Sequence, residues 1–238
     1  ELMGELGRVE EQQRQDNLPG TRVTENTKYV SNGKTAWIPK GFTVSGIKSE
    51  QSIDNGLVIY DIPEGKTPDW SNTDSVKTKY NQFVWIPVGD VKTKNKGKIN
   101  IELKRYVFNE DGTVNKELTK TKPGDELRTS ANNSVYYKEG LENSSTTNTH
   151  AKNIEIFKSK AEGSHGYYIG RYEARTTISR TSSTSDDKLT QITERPNEYI
   201  YNLITQPQAA TLSRNMYSST LFQSDLINSY AWDTTLLF

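Results

Sequence analysis

A chain of 238 residues has the length of one large domain, or of one domain with a small appendage. Thirty basic and thirty acidic side chains cancel, so the net charge gives no sign of a nucleic-acid partner or of an anionic membrane surface. The chain has no cysteine, which excludes disulfides, thiolate metal sites and cysteine nucleophiles, and only 32% of its residues are hydrophobic, which predicts a small core under long solvated loops.

The first predicted element is a helix over residues 1–17, in which Leu2, Met3, Leu6 and Val9 fall on one face. An Asn-Leu-Pro-Gly segment then ends it. Two interpretations stay open: a frayed terminal helix that packs on the domain, and a stalk. No run in the chain approaches the roughly 20 apolar residues that cross a bilayer, so we expect no membrane-spanning segment.

Short strands are predicted from Thr24 onward. The apolar runs are bounded by Pro-Lys-Gly, Asp-Asn-Gly and Pro-Val-Gly turn signals, and they lie at 35–38, 42–45, 57–60 and 82–88. An alternating run at 99–108 is followed by Asn-Glu-Asp-Gly, which predicts a hairpin with a primed turn.

Two polar stretches interrupt this pattern, at about 119–163 and 176–195. We interpret them as insertions. The first predicts little regular structure beyond a short strand at Ser134–Tyr137 and a short helix at Ala151–Lys160. Loops of this length in a compact domain are usually functional or mobile.

The C-terminal part predicts two helices. Gln206-Pro207 begins the first one, with proline in the first turn, and the second runs from about residue 223 to Leu237. We expect the second helix to bury Leu226, Ile227, Tyr230, Ala231 and Leu236. Strands followed by helices predict an α+β domain with an antiparallel sheet.

Three aromatic-rich blocks occur in a fixed order, at 81–88, at 166–175, and at 205–217 with 227–238. The segments to compare with known families are WIPKGFTVSG, DNGLVIYD, QFVWIPV, GYYIGRYEAR, and QAATLSRNMY with INSYAWDTTL. In this order the chain resembles the formylglycine-generating-enzyme-like (sulfatase-modifying-factor-like) branch of the C-type-lectin fold. More narrowly, it resembles domains of extracellular proteins of Gram-positive bacteria, some of which carry pilin-like anchors. The resemblance implies a C-type-lectin-like domain at 24–238, preceded by a stalk helix and linker at 1–23.

Two departures limit what the resemblance implies. The family's enzymes use cysteine with copper to oxidise a substrate cysteine, and this chain has no cysteine. We therefore expect no enzymatic activity and no cofactor. The enzyme-like domains also continue into a Gly-Asn-Val-Trp-Glu-Trp motif, whereas this sequence ends at Phe238 without it. We expect that the C-terminal part of the fold is incomplete, or is completed by another chain.

Several polar residues are candidates for a site. Arg171 and Glu173 lie two apart on a predicted strand and so face one side, as a ligand anchor or, as we favour, a structural ion pair or hydrogen-bond hub. Asp111, with Asn109 and Glu110, resembles the start of a calcium loop, but the later carboxylate is missing and a hairpin tip is the favoured interpretation.

The two histidines, His150 and His165, lie in polar surroundings without a second ligand at metal-binding spacing, so we expect both to be loop residues and no metal site.

Aromatic rings can form a platform for sugars, and the candidates are Trp37, Trp70, Trp85, Tyr167, Tyr168, Tyr172, Tyr230 and Trp232. Of these, Trp85, Tyr168, Tyr172 and Trp232 lie in the family segments, so we expect them in the core. Trp70, in the loop KTPDWSN, is the best candidate for an exposed ligand-binding ring.

The leading functional hypothesis is a non-catalytic module on the outside of a bacterial cell, with an extracellular ligand or glycan as its partner in adhesion. A second hypothesis is a structural subunit of a pilus-like filament, a homo-oligomer in which residues 1–17 form a stalk helix and a neighbouring copy completes the C-terminal part of the fold. Formylglycine-type oxidation is disfavoured because the chain has no cysteine. Nucleic acid is not an expected partner.

Overall fold

The computed structural model describes residues 2–118, 154–182 and 189–238. The strand predicted at 134–137 and His150 lie outside these ranges. The helices are α1 Leu2–Asn17, α2 Thr73–Lys79, α3 Ile154–Gly163, α4 Gln206–Met216 and α5 Ser229–Leu237. The strands are β1 Thr27–Ser31, β2 Lys34–Ile38, β3 Phe42–Val44, β4 Val58–Asp61, β5 Gln82–Pro87, β6 Gly89–Thr93, β7 Gly97–Ile101, β8 Tyr106–Phe108, β9 Val114–Glu117, β10 Gly166–Gly170, β11 Arg175–Thr176 and β12 Tyr199–Ile200.

Four strands form the central antiparallel sheet, in the order β10-β5-β4-β3. Strand β5 lies inside this sheet, with Trp85 opposite Tyr168 of β10 and Val84 opposite Val58 of β4. Successive side chains of a strand point to opposite faces. Trp85 therefore joins one core cluster, whereas the next residue, Ile86, joins another beneath α3 and α5. The mixed α+β class and the antiparallel sheet predicted from sequence are confirmed.

Residues 18–23 lie along the outer edge of β3. The backbone N–H of Gly20 donates to the carbonyl of Val44 over 2.8 Å, and that of Val23 donates to Phe42 over 2.9 Å. Val23 is itself buried in the core. This segment, which we expected to be a linker, thus covers an edge that would otherwise present unpaired backbone groups.

Helix α1 confirms the helix predicted at the start of the chain. Every residue from 3 to 14 is exposed, and the exposed fractions of Met3, Leu6 and Val9 are 84%, 57% and 54%. Gln15 fastens the last turn of the helix, because its side-chain amide donates to the carbonyl of Lys28 and accepts from the N–H of Val30. The apolar face of α1 therefore does not pack on the described part of the domain.

The four predicted apolar runs form β2, β3, β4 and β5, and the predicted short helix overlaps α3. The hairpin β8–β9 is also confirmed, but the prediction that it closes through a primed turn is wrong. A type I′ turn needs two residues with positive φ, and only Gly112 (φ 83°) has one in this connection. The register shifts at Val107/Phe108, so the hairpin closes through a bulge.

The two predicted C-terminal helices are present. Helix α4 begins with a capping box in which Thr205 and Gln208 satisfy each other's backbone N–H groups. Helix α5 begins at Ser229, later than predicted, because Ser224 instead bonds to Tyr217: its N–H donates to the Tyr217 carbonyl, and its hydroxyl accepts the Tyr217 N–H. The side chain of Asn228 caps α5.

The buried face of α5 differs from the prediction. Ala231 is buried and Leu226 and Tyr230 are half-buried, but Ile227 is 40% exposed and Leu236 is 49% exposed. The helix instead buries two polar residues, Asp233 and Thr234. Asp233 accepts the backbone N–H of Tyr106 over 2.9 Å, and Thr234 exchanges hydrogen bonds with the backbone of Lys104. Hydrogen bonding to β8 and the chain before it has therefore set the orientation of α5.

Substituting Gly166 should destabilise the fold. A Cβ at this position would lie 2.4 Å from the ring of Trp85 and 2.6 Å from the carbonyl oxygen of Ile86, and neither can move away freely. We expect Gly166→Ala to lower the free energy of unfolding by about 1–3 kcal/mol in urea denaturation. Gly163→Ala is the control, because nothing lies within 4 Å of its Cβ, and it should be neutral or slightly stabilising. Equal stability of the two variants would contradict the close approach.

Candidate functional site

Trp70 is half-buried and not the exposed ring that we expected. Its indole lies against Gly46, where an added Cβ would be 2.3 Å from the Trp70 Cγ. It also packs edge-on against Tyr60, with the ring centroids 5.0 Å apart. Its Nε1 is buried and has no hydrogen-bond partner among the described residues. The ring thus anchors its loop on the sheet, and its role as a ligand site stays a prediction.

The burial of the other aromatic side chains also differs in part from the prediction. Trp85 is buried, as expected, and Tyr168 and Tyr172 are half-buried. Trp232 is 53% exposed, so its expected place in the core is wrong. The cause is the orientation of α5, which turns its polar face inward. Trp37 is the second exposed tryptophan in the described part of the chain, at 43%.

Trp37 lies on the outer face of the β1–β2 hairpin. It pairs across the strands with Lys28, whose ammonium group is 5.7 Å from the centroid of the indole ring. The neighbouring residues Ala36 and Ile38 are fully buried, and the Tyr168 hydroxyl donates to the Trp37 carbonyl over 2.8 Å. A rigid backbone therefore presents this ring. We call the outward residues Lys28, Val30, Thr35 and Trp37 the Trp37 platform.

The turn of this hairpin gives the sequence signal that would have located the platform. Asn32 and Gly33 both have positive φ, 50° and 73°, as a primed two-residue turn requires. Asn-Gly between alternating strands is the strongest short hairpin signal. It predicts the alternation that places Trp37 on the face opposite its buried neighbours.

Arg171 is a hydrogen-bond hub, as we favoured, but Glu173 is not its partner. Strand β10 ends at Gly170, and Glu173 is exposed. The Arg171 guanidinium instead contacts the carboxylate of Glu50 at 2.6 Å and donates to the side-chain oxygen of Gln82 at 3.0 Å. The ion pair joins residues far apart in sequence, which a local pattern cannot show.

Glu50 is 6% exposed, and both of its carboxylate oxygens have partners. Its Oε1 accepts from the hydroxyls of Ser45 and Tyr60, each over 2.8 Å. Its Oε2 faces Arg171, with the Lys77 ammonium group 3.9 Å away. Both carboxylate oxygens have partners on separate strands or loops, so this network is a structural link between strands.

Glu194 is a buried carboxyl group with fewer partners than Glu50. It is 7% exposed and its Oε2 has no hydrogen-bond partner in the described parts of the chain. Only a glycine fits beside it, because a Cβ on Gly170 would lie 2.4 Å from the carboxyl carbon. Burial raises the pKa of Glu194 to about 8, although a backbone hydrogen bond from Tyr172 and the charge of Arg175 oppose the shift.

The remaining predicted residues have local roles. Asp111 accepts from the N–H and the hydroxyl of Thr113, which makes it part of the hairpin tip, as we favoured over a calcium loop. His165 is an exposed residue between α3 and β10. Within the described ranges no group of three histidine, aspartate or glutamate side chains is arranged to hold a metal ion.

Comparison of this chain with protein-family models, with curated proteins and with solved structures finds no match. The resemblance to the C-type-lectin fold therefore stays an expectation. In the described part of the chain, every helix is too short or too polar to cross a membrane.

Glu194 should make stability depend on pH. The pKa of Glu194 rises from 4.5 to about 8 on folding. Between these two pH values the folded protein holds a proton on this carboxyl group that the unfolded chain has lost. The stability that this group contributes is complete below pH 4.5 and is lost as the pH rises through 8, by up to about 1.4 kcal/mol per pH unit. We expect Glu194→Gln to flatten that slope in denaturant titrations, and to be more stable than wild type at pH 8.

The exposed residue Glu173 supplies the control. Glu173→Gln should keep the wild-type slope. If Glu194→Gln keeps it as well, the carboxyl group is not the source of the pH dependence.

Proposed function

We propose that this chain is a non-catalytic module on the outside of a bacterial cell, where it binds an extracellular ligand such as a glycan. The sequence segments that resemble C-type-lectin-like domains of extracellular bacterial proteins support both a location outside the cell and a C-type-lectin-like fold. The absence of cysteine from all 238 residues supports a role other than the family's thiol oxidation. The observation that carries the proposal is the Trp37 platform.

The Trp37 platform has the features of a small sugar-binding surface. An exposed indole provides a flat apolar face. Its side chain has only two rotatable torsions, so fixing it on binding costs little conformational entropy. The adjacent Lys28 provides a cation for a carboxylate or sulfate on the same ligand. Because buried neighbours hold the strand, ligand binding needs no reorganisation of the backbone, which favours affinity.

The test of this function is a glycan array read with wild type and with Trp37→Ala. Loss of the indole face should lower the affinity for any glycan that binds the Trp37 platform by about tenfold or more. Trp232→Ala is the matched control, because it removes the other exposed tryptophan of the described residues, which lies on α5 and outside the Trp37 platform. Wild-type protein that binds no glycan at high concentration, or equal losses in both variants, would contradict the proposal.

A second candidate function is that of a subunit in a pilus-like filament, and α1 is the observation that favours it. An isolated helix of 16 residues is marginally stable in water. Its apolar residues Met3, Leu6 and Val9 are exposed. Packing against α1 of a second copy would bury this face and stabilise the helix.

Self-association through α1 should depend on its apolar face. We expect the double variant Leu6→Ser, Val9→Ser to raise the dissociation constant of any oligomer by about tenfold or more in analytical ultracentrifugation. Arg8→Ser with Glu11→Ser is the control, with the same spacing on exposed polar positions. A wild-type chain that stays monomeric at every concentration would remove this candidate.

A further inference from the structure

The hairpin β6–β7 concentrates positive charge that the neutral composition hides. The sequence KTKNKGK places lysine at positions 92, 94, 96 and 98, and all four residues are exposed. Lys92 and Lys98 lie directly opposite each other on the two strands. The acidic residue of this hairpin, Asp90, accepts a hydrogen bond from Asn100. We call the four side chains the lysine face.

This arrangement costs stability in the free protein. Like charges directly opposite each other on a sheet repel. Among the described residues, Lys92, Lys94 and Lys98 form no ion pair. Lys96 donates to the carbonyl of Leu237 at the end of α5. An anionic ligand would relieve the repulsion that the protein itself leaves uncompensated.

The backbone under the lysine face is held in place. The N–H of Lys92 donates to the buried carboxylate of Asp54 over 3.2 Å, and the N–H of Lys94 donates to Asn55 over 2.8 Å. On the opposite side of the hairpin, Val91 and Ile101 are buried in the domain. The backbone at Lys92 and Lys94 is therefore fixed before any ligand arrives, which lowers the entropy cost of binding.

We propose that the lysine face binds an anionic polysaccharide. Lys92 and Lys98 lie opposite each other on β6 and β7, and Lys94 and Lys96 lie in the turn that joins these strands. The four ammonium groups therefore form a cluster that neighbouring anionic groups on a polymer can contact together. Carboxylate, sulfate and phosphate groups share the chemistry that an ammonium group recognises. The choice of a polysaccharide rests on the proposed function as an extracellular ligand-binding module.

The composition of the hairpin is unfavourable for the other common polyanions. Proteins that bind single-stranded nucleic acid stack bases on aromatic rings, and residues 89–101 contain no aromatic side chain and no arginine. Peripheral membrane proteins insert apolar side chains below the headgroups, and the tip between Lys94 and Lys98 has none. The lysine face offers charge alone.

The experiment measures binding to dextran sulfate, polygalacturonate and dextran phosphate, with neutral dextran as the uncharged backbone. We expect binding to at least one of the charged polymers, no binding to dextran, and weakening as salt is raised. The charged polymer that binds most tightly identifies the anionic group. The triple variant Lys92→Gln, Lys94→Gln, Lys98→Gln should weaken binding by about tenfold or more.

The control triple variant, Lys48→Gln, Lys66→Gln, Lys116→Gln, removes the same charge from scattered exposed positions and should bind as wild type does. Equal losses in the two triple variants, no binding to any charged polymer, or tighter binding to single-stranded DNA or to phosphatidylglycerol vesicles would each overturn the inference. If glycan binding is lost in Trp37→Ala but kept in the triple variant of Lys92, Lys94 and Lys98, the proposed function is supported and this inference fails. The converse result would leave the lysine face as the binding site and remove the Trp37 platform.

Discussion

The buried carboxylate of Glu50 is the constraint on which the central sheet depends. Its donors come from separate parts of that sheet: Ser45 follows β3, Tyr60 lies in β4, and Arg171 follows β10. Arg171 also bonds to Gln82, the first residue of β5. A buried charge without its partner costs several kcal/mol, so the four strands must reach this point together. The network therefore fixes the alignment of the strands at one end of the sheet.

A second buried carboxylate, Asp54, links the two surfaces to which we assign binding. Its Oδ2 accepts from the side chain of Asn32 in the β1–β2 turn over 3.0 Å, while its Oδ1 accepts from the backbone of Lys92 in β6 over 3.2 Å. The Lys34 ammonium group lies 3.7 Å from the same carboxylate. Both hairpins thus take their position from one rigid point. The ionisable groups inside the domain hold its structure, and the groups available for binding project from the hairpins.

Local patterns predicted β2, β3, β4 and β5, because a run such as 82–88 must be buried whatever its neighbours are. They failed where a distant partner decides the orientation. Trp232 was expected in the core because it lies in one of the family segments, but the hydrogen bond of Asp233 to a strand far away in sequence turns that helix over. The hairpin at Asn32-Gly33 was within reach of the sequence, and so was the lysine run. The net charge did not reveal the lysine run, because the total charge of a chain says nothing about where its charged residues lie.

The neutral total charge also limits how the lysine face can act. Beyond a screening length of about 8 Å at physiological ionic strength, exposed charges hardly interact. A chain with balanced charge therefore attracts an anionic ligand only at contact, and each exposed ammonium group contributes little on its own. Useful affinity then requires several simultaneous contacts, which a polymer with repeated charges supplies and a small anion does not. The cluster of lysines on this hairpin thus selects for the length of the ligand as well as for its charge.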